Sequence, residues 1–250
     1  MRVLIVENME HSDLGQVGVA LSETNAEIDL RQPFKGEMLP SSVWDHDALV
    51  VFGGEQSAID DDIHPYLPDL AALMRAFCEA DKSVLGICLG SQLLARGHGA
   101  RNIIGHNAEF GWHEVKLSDA GRGDPVLGAA SAAFPIFQWH SDTFTLPENA
   151  TLLATGPAVE NQAFRIGRAA YGMQFHFEAG KRVVEDWNRV FRDQILRLDP
   201  AWLDNYDRHA ARHADRAEEA GLALARAWVK TIRTGARTDS RGFDEISAVA

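Results

Sequence analysis

Cysteine is scarce in this sequence: two of its 250 residues, Cys78 and Cys88, carry a thiol. Two cysteines cannot build the disulfide framework on which small secreted domains depend. The first residues also lack the apolar segment and small-residue cleavage site of a secretion signal. We therefore expect a reducing, cytoplasmic location, where a thiol stays free to react.

Long hydrophobic runs and excess positive charge are missing as well. No apolar run approaches the roughly 20 residues of a membrane-spanning helix, so no membrane contact is expected. Lys and Arg number 24 against 36 Asp and Glu, which gives a formal net charge of -12. Nucleic acids and anionic membranes repel such an acidic protein, and neither is expected as a partner.

Motifs for bound phosphates and metals are also lacking. The sequence has no Gly-x-x-x-x-Gly-Lys-Ser/Thr loop, and so no nucleotide-binding domain is expected. His209 and His213 could share one helix face, but no third zinc ligand accompanies them. The Asp60–Asp62 run lacks the spacing of a calcium loop. We expect neither a metal nor a cofactor.

Strands and helices alternate over the first hundred residues. Continuous apolar runs such as Ala48–Phe52 are typical of strands covered on both faces. The alternation predicts an α/β fold: an open, mostly parallel, doubly wound sheet with flanking helices. The other strands predicted here are Arg2–Val6, Glu27–Arg31 and the strand before Cys88, and the helices are Gly15–Asn25, Pro65–Ala80 and one ending near Gly97.

Shorter segments follow Gly99 and predict strands joined by turns, then helices. The predicted strands are Glu114–Leu117, Pro135–Trp139, Gln162–Ile166 and Ala170–Phe177, and the helices are Arg182–Arg197 and Ala214–Ile232. No repeat or low-complexity linker interrupts the chain. We predict one domain over residues 1–200 and a C-terminal helical extension with a polar tail over residues 201–250.

The segment Ser83–Leu94 gives the strongest functional indication. A short apolar strand runs through Gly86 to Cys88, and Gly90 follows as a helix begins. Glycine permits the tight turn, and the positive end of the helix dipole favours a thiolate. This pattern predicts a cysteine held as in a nucleophile elbow. Cys78 lies on an apolar helix face without glycines and is interpreted as a packing residue.

A nucleophilic thiol needs a base and a group that orients the base. On a strand, His176 and Glu178 would share one face while Phe175 and Phe177 are buried on the other. A neighbouring carboxylate fixes the tautomer of an imidazole and stabilises its charged form. We therefore predict a catalytic triad of Cys88, His176 and Glu178.

Backbone N–H groups would have to stabilise the oxyanion of an acyl transfer. Leu89, directly after the nucleophile, and Gly54, in the Gly53-Gly54 turn after a neighbouring strand, are the predicted donors. A plain strand-ending turn would explain two glycines equally well, so this pattern is weak by itself.

Taken together, these motifs resemble the class I glutamine amidotransferase family, and most of all the glutaminase portion of GMP synthase. The pattern Gly-x-Cys-x-Gly-x-Gln at residues 86–92, followed by His-x-Glu at 176–178, carries the resemblance over roughly residues 45–180. It implies a flavodoxin-like fold and an enzyme that hydrolyses the side-chain amide of glutamine. Cys88 would form a γ-glutamyl thioester, and His176, oriented by Glu178, would protonate the leaving ammonia and then activate water.

The resemblance also implies substrate contacts. Gln92 matches the family glutamine, and residues 139–142 resemble the segment that binds the amino-acid end of the substrate. Gly53, Gln92, Ser141 and Asp142 are thus expected at the substrate, with Asp142 pairing with its ammonium group. Residues 109–112 resemble a segment of GMP-synthase-like members and are interpreted as structural.

Two departures from the family pattern leave the substrate open. Leu89 and Glu55 stand where GMP synthase commonly has tyrosine and proline, and Glu55 would bring a carboxylate to the pocket mouth. An ammonia-accepting synthetase would have to be another chain. Three hypotheses follow: a glutaminase that serves a partner synthetase, a stand-alone γ-glutamyl peptidase or hydrolase, and a non-catalytic regulatory subunit with this fold.

Overall fold

The computed structural model describes residues 1–106 and 108–234. Its strands are β1 (Arg2–Val6), β2 (Glu27–Arg31), β3 (Ala48–Val51), β4 (Ser83–Ile87), β5 (Asn102–Ile103), β6 (Glu109–Leu117), β7 (Ala133–His140), β8 (Thr143–Phe144), β9 (Ala150–Thr155), β10 (Ala163–Ile166) and β11 (Ala170–Met173). Its helices are α1 (Gly15–Glu23), α2 (Leu67–Glu79), α3 (Leu89–Gly97), α4 (Asp119–Arg122), α5 (Lys181–Val190), α6 (Arg192–Leu198) and α7 (Trp202–Val229). Beyond residue 234, the predicted polar tail lies outside the described residues.

Nine strands form one sheet in the order β2-β1-β3-β4-β11-β10-β9-β6-β7. The first five are paired in parallel, and every pair from β11 to β7 is antiparallel. Only β10 and β6 therefore run against the common direction, and the prediction of a mostly parallel α/β sheet is confirmed. Strands β5 and β8 pair separately.

Helices cover both faces of the parallel half. In β1, Val3 and Ile5 join the core beneath α1 and α7, whereas Leu4 and Val6 join the core beneath α2 and α3. Burial on both faces explains why the strands have continuous apolar runs instead of alternating polar residues. The sheet is doubly wound, as predicted.

The C-terminal helix packs on the main core. Leu224 and Trp228 of α7 are fully buried in the same cluster as Leu21 of α1, and the Trp228 indole donates a hydrogen bond to the Val84 carbonyl at 3.2 Å. A C-terminal helix is therefore present as expected. The boundary predicted at residue 200 stays a prediction.

Several predicted element bounds need correction. Strand β11 ends at Met173 instead of Phe177, because the chain bends there and only His176 forms an isolated bridge, to Phe137. The helix predicted over 182–197 is two helices separated at Phe191, whose backbone leaves the helical conformation. Helix α7 begins at Trp202, ahead of the predicted start at residue 214, and strand β9 was not predicted.

Within residues 1–106 and 108–234, no helix is both long enough and apolar enough to cross a membrane.

Candidate active site

Cys88 lies at the sharp turn between β4 and α3. Its backbone has φ 51° and ψ -109°, a conformation that residues with a side chain rarely adopt and that costs about 1–3 kcal/mol. The Cys88 N–H donates to the Met173 carbonyl at 2.9 Å, and the Cys88 carbonyl accepts from the Ser91 N–H, also at 2.9 Å. The strained turn is thus fixed to β11 and to the first turn of the helix.

The glycines flanking Cys88 allow backbone segments to approach closely. A Cβ on Gly86 would lie 2.3 Å from the Gly90 carbonyl oxygen, and one on Gly90 would lie 2.1 Å from the Val51 carbonyl oxygen. The positive φ falls on Cys88 itself. The glycines are therefore required because they leave space for helix α3 against β3 and β4.

His176 and Glu178 lie together, although neither belongs to β11. The Nδ1 of His176 is 2.6 Å from Oε1 of Glu178, and the His176 N–H donates to the Phe137 carbonyl at 2.8 Å. Phe175 and Phe177 are buried, as the alternating pattern predicts. The bend after β11 preserves the pairing that a straight strand would also have produced.

The pKa of the His176 imidazole is raised by its neighbours. Burial by itself would lower the pKa of His176, but the charges of Glu178 and Cys88 and hydrogen bonds to both outweigh it, so the pKa is raised well above its usual value. The Trp187 ring meets the imidazole edge to face, with centroids 5.2 Å apart. A protonated imidazole beside the nucleophile can act as a general acid and donate its proton to a leaving group.

Cys88, His176 and Glu178 line one cavity of about 510 Å³. All nine predicted site residues line it: Gly53, Gly54, Cys88, Leu89, Gln92, Ser141, Asp142, His176 and Glu178. Glu55 lies on the same wall and is exposed. The structure thus brings the predicted residues together, while their individual roles stay predictions.

The Gly53-Gly54 turn is tightly enclosed. A Cβ on Gly53 would lie 3.0 Å from Cε1 of His176 and 3.4 Å from Cβ of Cys88. Asn8, two residues after the end of β1, donates its side-chain N–H to the Phe52 carbonyl at 2.8 Å. A side chain at position 53 would therefore press on the His176 ring, and Gly53 sets the space available beside the thiol.

Gln92 and Asp142 are connected through the backbone. Gln92 lies one helical turn beyond Cys88, and its side-chain N–H donates to the Asp142 backbone carbonyl at 3.2 Å. The Asp142 carboxylate accepts from the Gly105 N–H at 2.9 Å and from the Ser141 hydroxyl at 3.3 Å. Asp142 therefore anchors the turn after β7 as well as lining the cavity.

A buried polar cluster next to this turn was missed as a functional feature. Oε2 of Glu109 accepts from the Gln162 amide at 2.8 Å and lies 3.2 Å from Nε2 of His140. The Gln138 side-chain N–H donates to the Gln162 side-chain oxygen at 2.9 Å, and the Gln138 side-chain oxygen lies 3.1 Å from Nε2 of His140. Since a carboxylate only accepts, Glu109 orients every amide in this cluster.

The pKa of the Glu109 carboxyl is lowered despite its burial. Burial alone would raise the pKa of Glu109, but the hydrogen bond and charge of His140 and the hydrogen bond from Gln162 lower it overall. Both Glu109 and His140 line the cavity. The sequence analysis interpreted residues 109–112 as structural, and so it did not predict a carboxylate of Glu109 in the lining of the cavity.

Cys78 and His209 do not line the cavity. Cys78 is half-buried beside the α2 core, and burial raises the pKa of its thiol. His209 stacks on Trp202, with ring centroids 5.3 Å apart. In the part of the chain that the structure describes, no cluster of three or more His, Cys, Asp or Glu side chains could hold a metal ion.

The chain is similar in sequence to known proteins. The family profile "Glutamine amidotransferase class-I" matches residues 10–191. A glutamine amidotransferase-like protein, YfeJ of Salmonella typhimurium, is 31% identical over 188 residues, covering 74% of this chain and 79% of that protein. A glutamine-hydrolysing GMP synthase subunit of Natronomonas pharaonis is 30% identical over 204 residues, with 76% and 97% covered. Gamma-glutamyl peptidase 5 of Arabidopsis thaliana is 27% identical over 183 residues, with 71% and 72% covered.

A solved structure shares the fold over nearly the whole chain. The crystal structure of a glutamine amidotransferase from Thermotoga maritima superposes with a TM-score of 0.82 and 30% identity, covering 93% of this chain and 98% of the other.

Proposed function

This chain belongs to the class I glutamine amidotransferase family, and from that premise we propose that it hydrolyses the side-chain amide of glutamine, or of a related γ-glutamyl compound, through a thioester on Cys88. One observation carries the proposal: the cavity that holds Cys88 also holds His176, whose Nδ1 lies 2.6 Å from Glu178. A thiol, a charged imidazole and an orienting carboxylate are the groups that acyl transfer requires.

The proposed reaction has two halves. The Cys88 thiolate attacks the amide carbon, and the N–H groups of Leu89 and Gly54 stabilise the oxyanion. His176 protonates the leaving nitrogen, the C–N bond breaks, and ammonia departs from the γ-glutamyl thioester. Neutral His176 then removes a proton from water, the resulting hydroxide attacks the thioester carbon, and cleavage of the C–S bond releases glutamate and restores the Cys88 thiolate beside charged His176. Glu178 orients the ring throughout, and Gly53, Gln92, Ser141 and Asp142 hold the substrate.

The destination of the ammonia separates two forms of this proposal. One relative is a glutamine-hydrolysing GMP synthase subunit, which supports a glutaminase that delivers ammonia to a synthetase on another chain. Another relative is a γ-glutamyl peptidase. Phe191, Gln194 and Leu198 also line the cavity, whose volume of about 510 Å³ leaves room for a leaving group larger than ammonia and supports the peptidase alternative. Both reactions need a free thiol and suit a reducing cytoplasm.

Hydrolysis assays on the purified protein separate these possibilities. We expect glutamate release from glutamine, from γ-glutamyl dipeptides, or from both, and none from the Cys88→Ala variant. The Cys78→Ala variant is the matched control, since it removes the other thiol. Rapid cleavage of dipeptides by the isolated chain favours the peptidase. Absence of turnover on every γ-glutamyl compound, in cell extract as well, favours the regulatory hypothesis and contradicts the proposal.

A further inference from the structure

Strand β2 forms an open edge of the nine-stranded sheet. All five of its residues, Glu27–Arg31, pair with β1 in one continuous register. The strand contains neither a proline nor a bulge, two of the devices with which proteins block an open edge. The edge is therefore regular enough to accept another strand.

The backbone of β2 presents unused hydrogen-bonding groups on its outer side. The Glu27 N–H donates to the Met1 carbonyl at 2.9 Å, which places Glu27 among the residues that face β1. Alternate residues of a ladder face opposite neighbours, so Ile28 and Leu30 direct their N–H and C=O groups away from β1. Within residues 1–106 and 108–234, these outward groups have no backbone partner.

The outward residues also carry exposed apolar side chains. Ile28 is 41% exposed and Leu30 is 43% exposed, although they align with buried Val3 and Ile5 of β1. Suppose a second copy adds its own β2 antiparallel, with residue 29 opposite residue 29. Ile28 then lies opposite Leu30 of the second copy, and these pairs are the ones that exchange N–H···O hydrogen bonds.

The charges of β2 match their own copy in the same register. Glu27 lies opposite Arg31 of the second copy, and Arg31 lies opposite Glu27, because a two-fold axis makes each contact reciprocal. Asp29 meets Asp29 at the axis, but each is bound within its own chain by Arg2 at 2.9 Å and by Arg31 at 2.8 Å. Two carboxylates and two guanidinium groups in each copy thus cancel, on a protein whose formal charge is -12.

The residues after β2 limit the length of this pairing. The Gln32 N–H is taken by the Glu37 carboxylate at 2.7 Å, and Pro33 follows without an N–H to donate. A second strand can therefore pair with β2 only as far as Arg31. This end point favours the register centred on Asp29 over a shifted one.

We propose that β2 is the interface of a two-fold symmetric homodimer, in which the β2 strands of two copies pair antiparallel around Asp29. The two sheets become continuous across the axis. No residue of β2 lines the cavity of Cys88, so both cavities stay open. One short strand pair buries less surface than a standard interface, and we expect a dissociation constant of about 10–100 µM. At about 1 µM the chain is then monomeric.

Charge reversal tests the register through sedimentation equilibrium of the full chain at about 1–500 µM. Arg31→Glu places two glutamates opposite each other, and Glu27→Arg places two arginines opposite each other. Each variant alone should dimerise at least about tenfold more weakly than wild type. An equimolar mixture of the two variants restores opposite charges at every pair and should recover the dimer.

An apolar substitution tests the other face of the strand. Leu30→Asp puts a charge opposite Ile28 of the second copy and should abolish the dimer over this concentration range. Val190→Asp is the matched control, since Val190 lies on α5 and is 46% exposed. It should leave the dissociation constant unchanged. Thermal melting at about 1 µM checks that each variant is folded as a monomer.

The outcomes decide the proposal independently of hydrolysis. A wild-type chain that stays monomeric up to 500 µM would overturn it, and so would an unchanged dimer in Arg31→Glu or Leu30→Asp. Failure of the charge-reversal mixture to recover the dimer would overturn it as well, because only direct pairing of residues 27 and 31 predicts that recovery. A dimer with these properties in a protein that hydrolyses no γ-glutamyl compound would uphold the interface and contradict the proposed function alone.

Discussion

Replacing Glu178 with glutamine removes the negative charge that raises the pKa of His176. The two side chains are both buried and 2.6 Å apart, so water screens their interaction poorly. A hydrogen bond to a charged group contributes about 1.5–3 kcal/mol. Removing that charge should therefore lower the pKa of His176.

The same free energy should appear in the rate of hydrolysis. If the charged imidazole is needed to protonate the leaving group, a loss of about 1.5–3 kcal/mol lowers kcat/KM by about 10- to 100-fold. The amide that this substitution introduces could also favour the wrong tautomer of His176, which would add to the loss. KM alone should change little, since Glu178 touches the base and not the substrate.

Nuclear magnetic resonance of labelled histidine measures the pKa directly. His176→Gln assigns its signal among the ten histidines. Glu79→Gln, which removes an exposed carboxylate from α2, is the control and should leave the titration of His176 unchanged. A pKa of His176 that stays the same in Glu178→Gln would refute the electrostatic account of the triad.

Three further predictions concern space, packing and pH. Gly53→Ala places a Cβ 3.0 Å from the His176 ring and should lower kcat about tenfold at nearly unchanged melting temperature, whereas Gly123→Ala, which meets nothing closer than 3.8 Å, should alter neither. Leu224→Ala should lower the free energy of unfolding in urea by about 2–5 kcal/mol, whereas Leu30→Ala, at an exposed leucine, should lower it by less than about 0.5 kcal/mol. A small effect of Leu224→Ala would show that the core does not depend on α7. The raised pKa of His176 stabilises the fold below about pH 6.5, and this stabilisation is lost as the pH rises through the raised value. Glu178→Gln should therefore lower the free energy of unfolding more at pH 6 than at alkaline pH. Equal destabilisation at the two pH values would contradict the pKa shift.

Local chemistry explains which features could be predicted from the sequence. The elbow at Cys88 follows from an apolar strand and two glycines, and His176 with Glu178 follows from their spacing. Both patterns depend on neighbours in the chain, which a sequence displays directly. The parallel sheet was equally accessible, because burial on both faces leaves continuous apolar runs such as that of β3.

The features that were missed depend on contacts between distant segments. Glu109 becomes a charged cavity wall only because β6 lies between β9 and β7, which brings Gln162 and His140 to it. The break at Phe191 and the early start of α7 reflect aromatic packing: the Phe191 ring meets Trp139, and the Trp202 ring meets Phe110. The spacing of residues along the sequence does not indicate such packing.

Glutamate release from glutamine and from γ-glutamyl dipeptides by Cys88→Ala, measured beside wild type and Cys78→Ala, tests the central claim most directly. The account predicts that Cys88→Ala loses all measurable hydrolysis while Cys78→Ala keeps the wild-type rate. Hydrolysis by Cys88→Ala at a rate near that of wild type would contradict it.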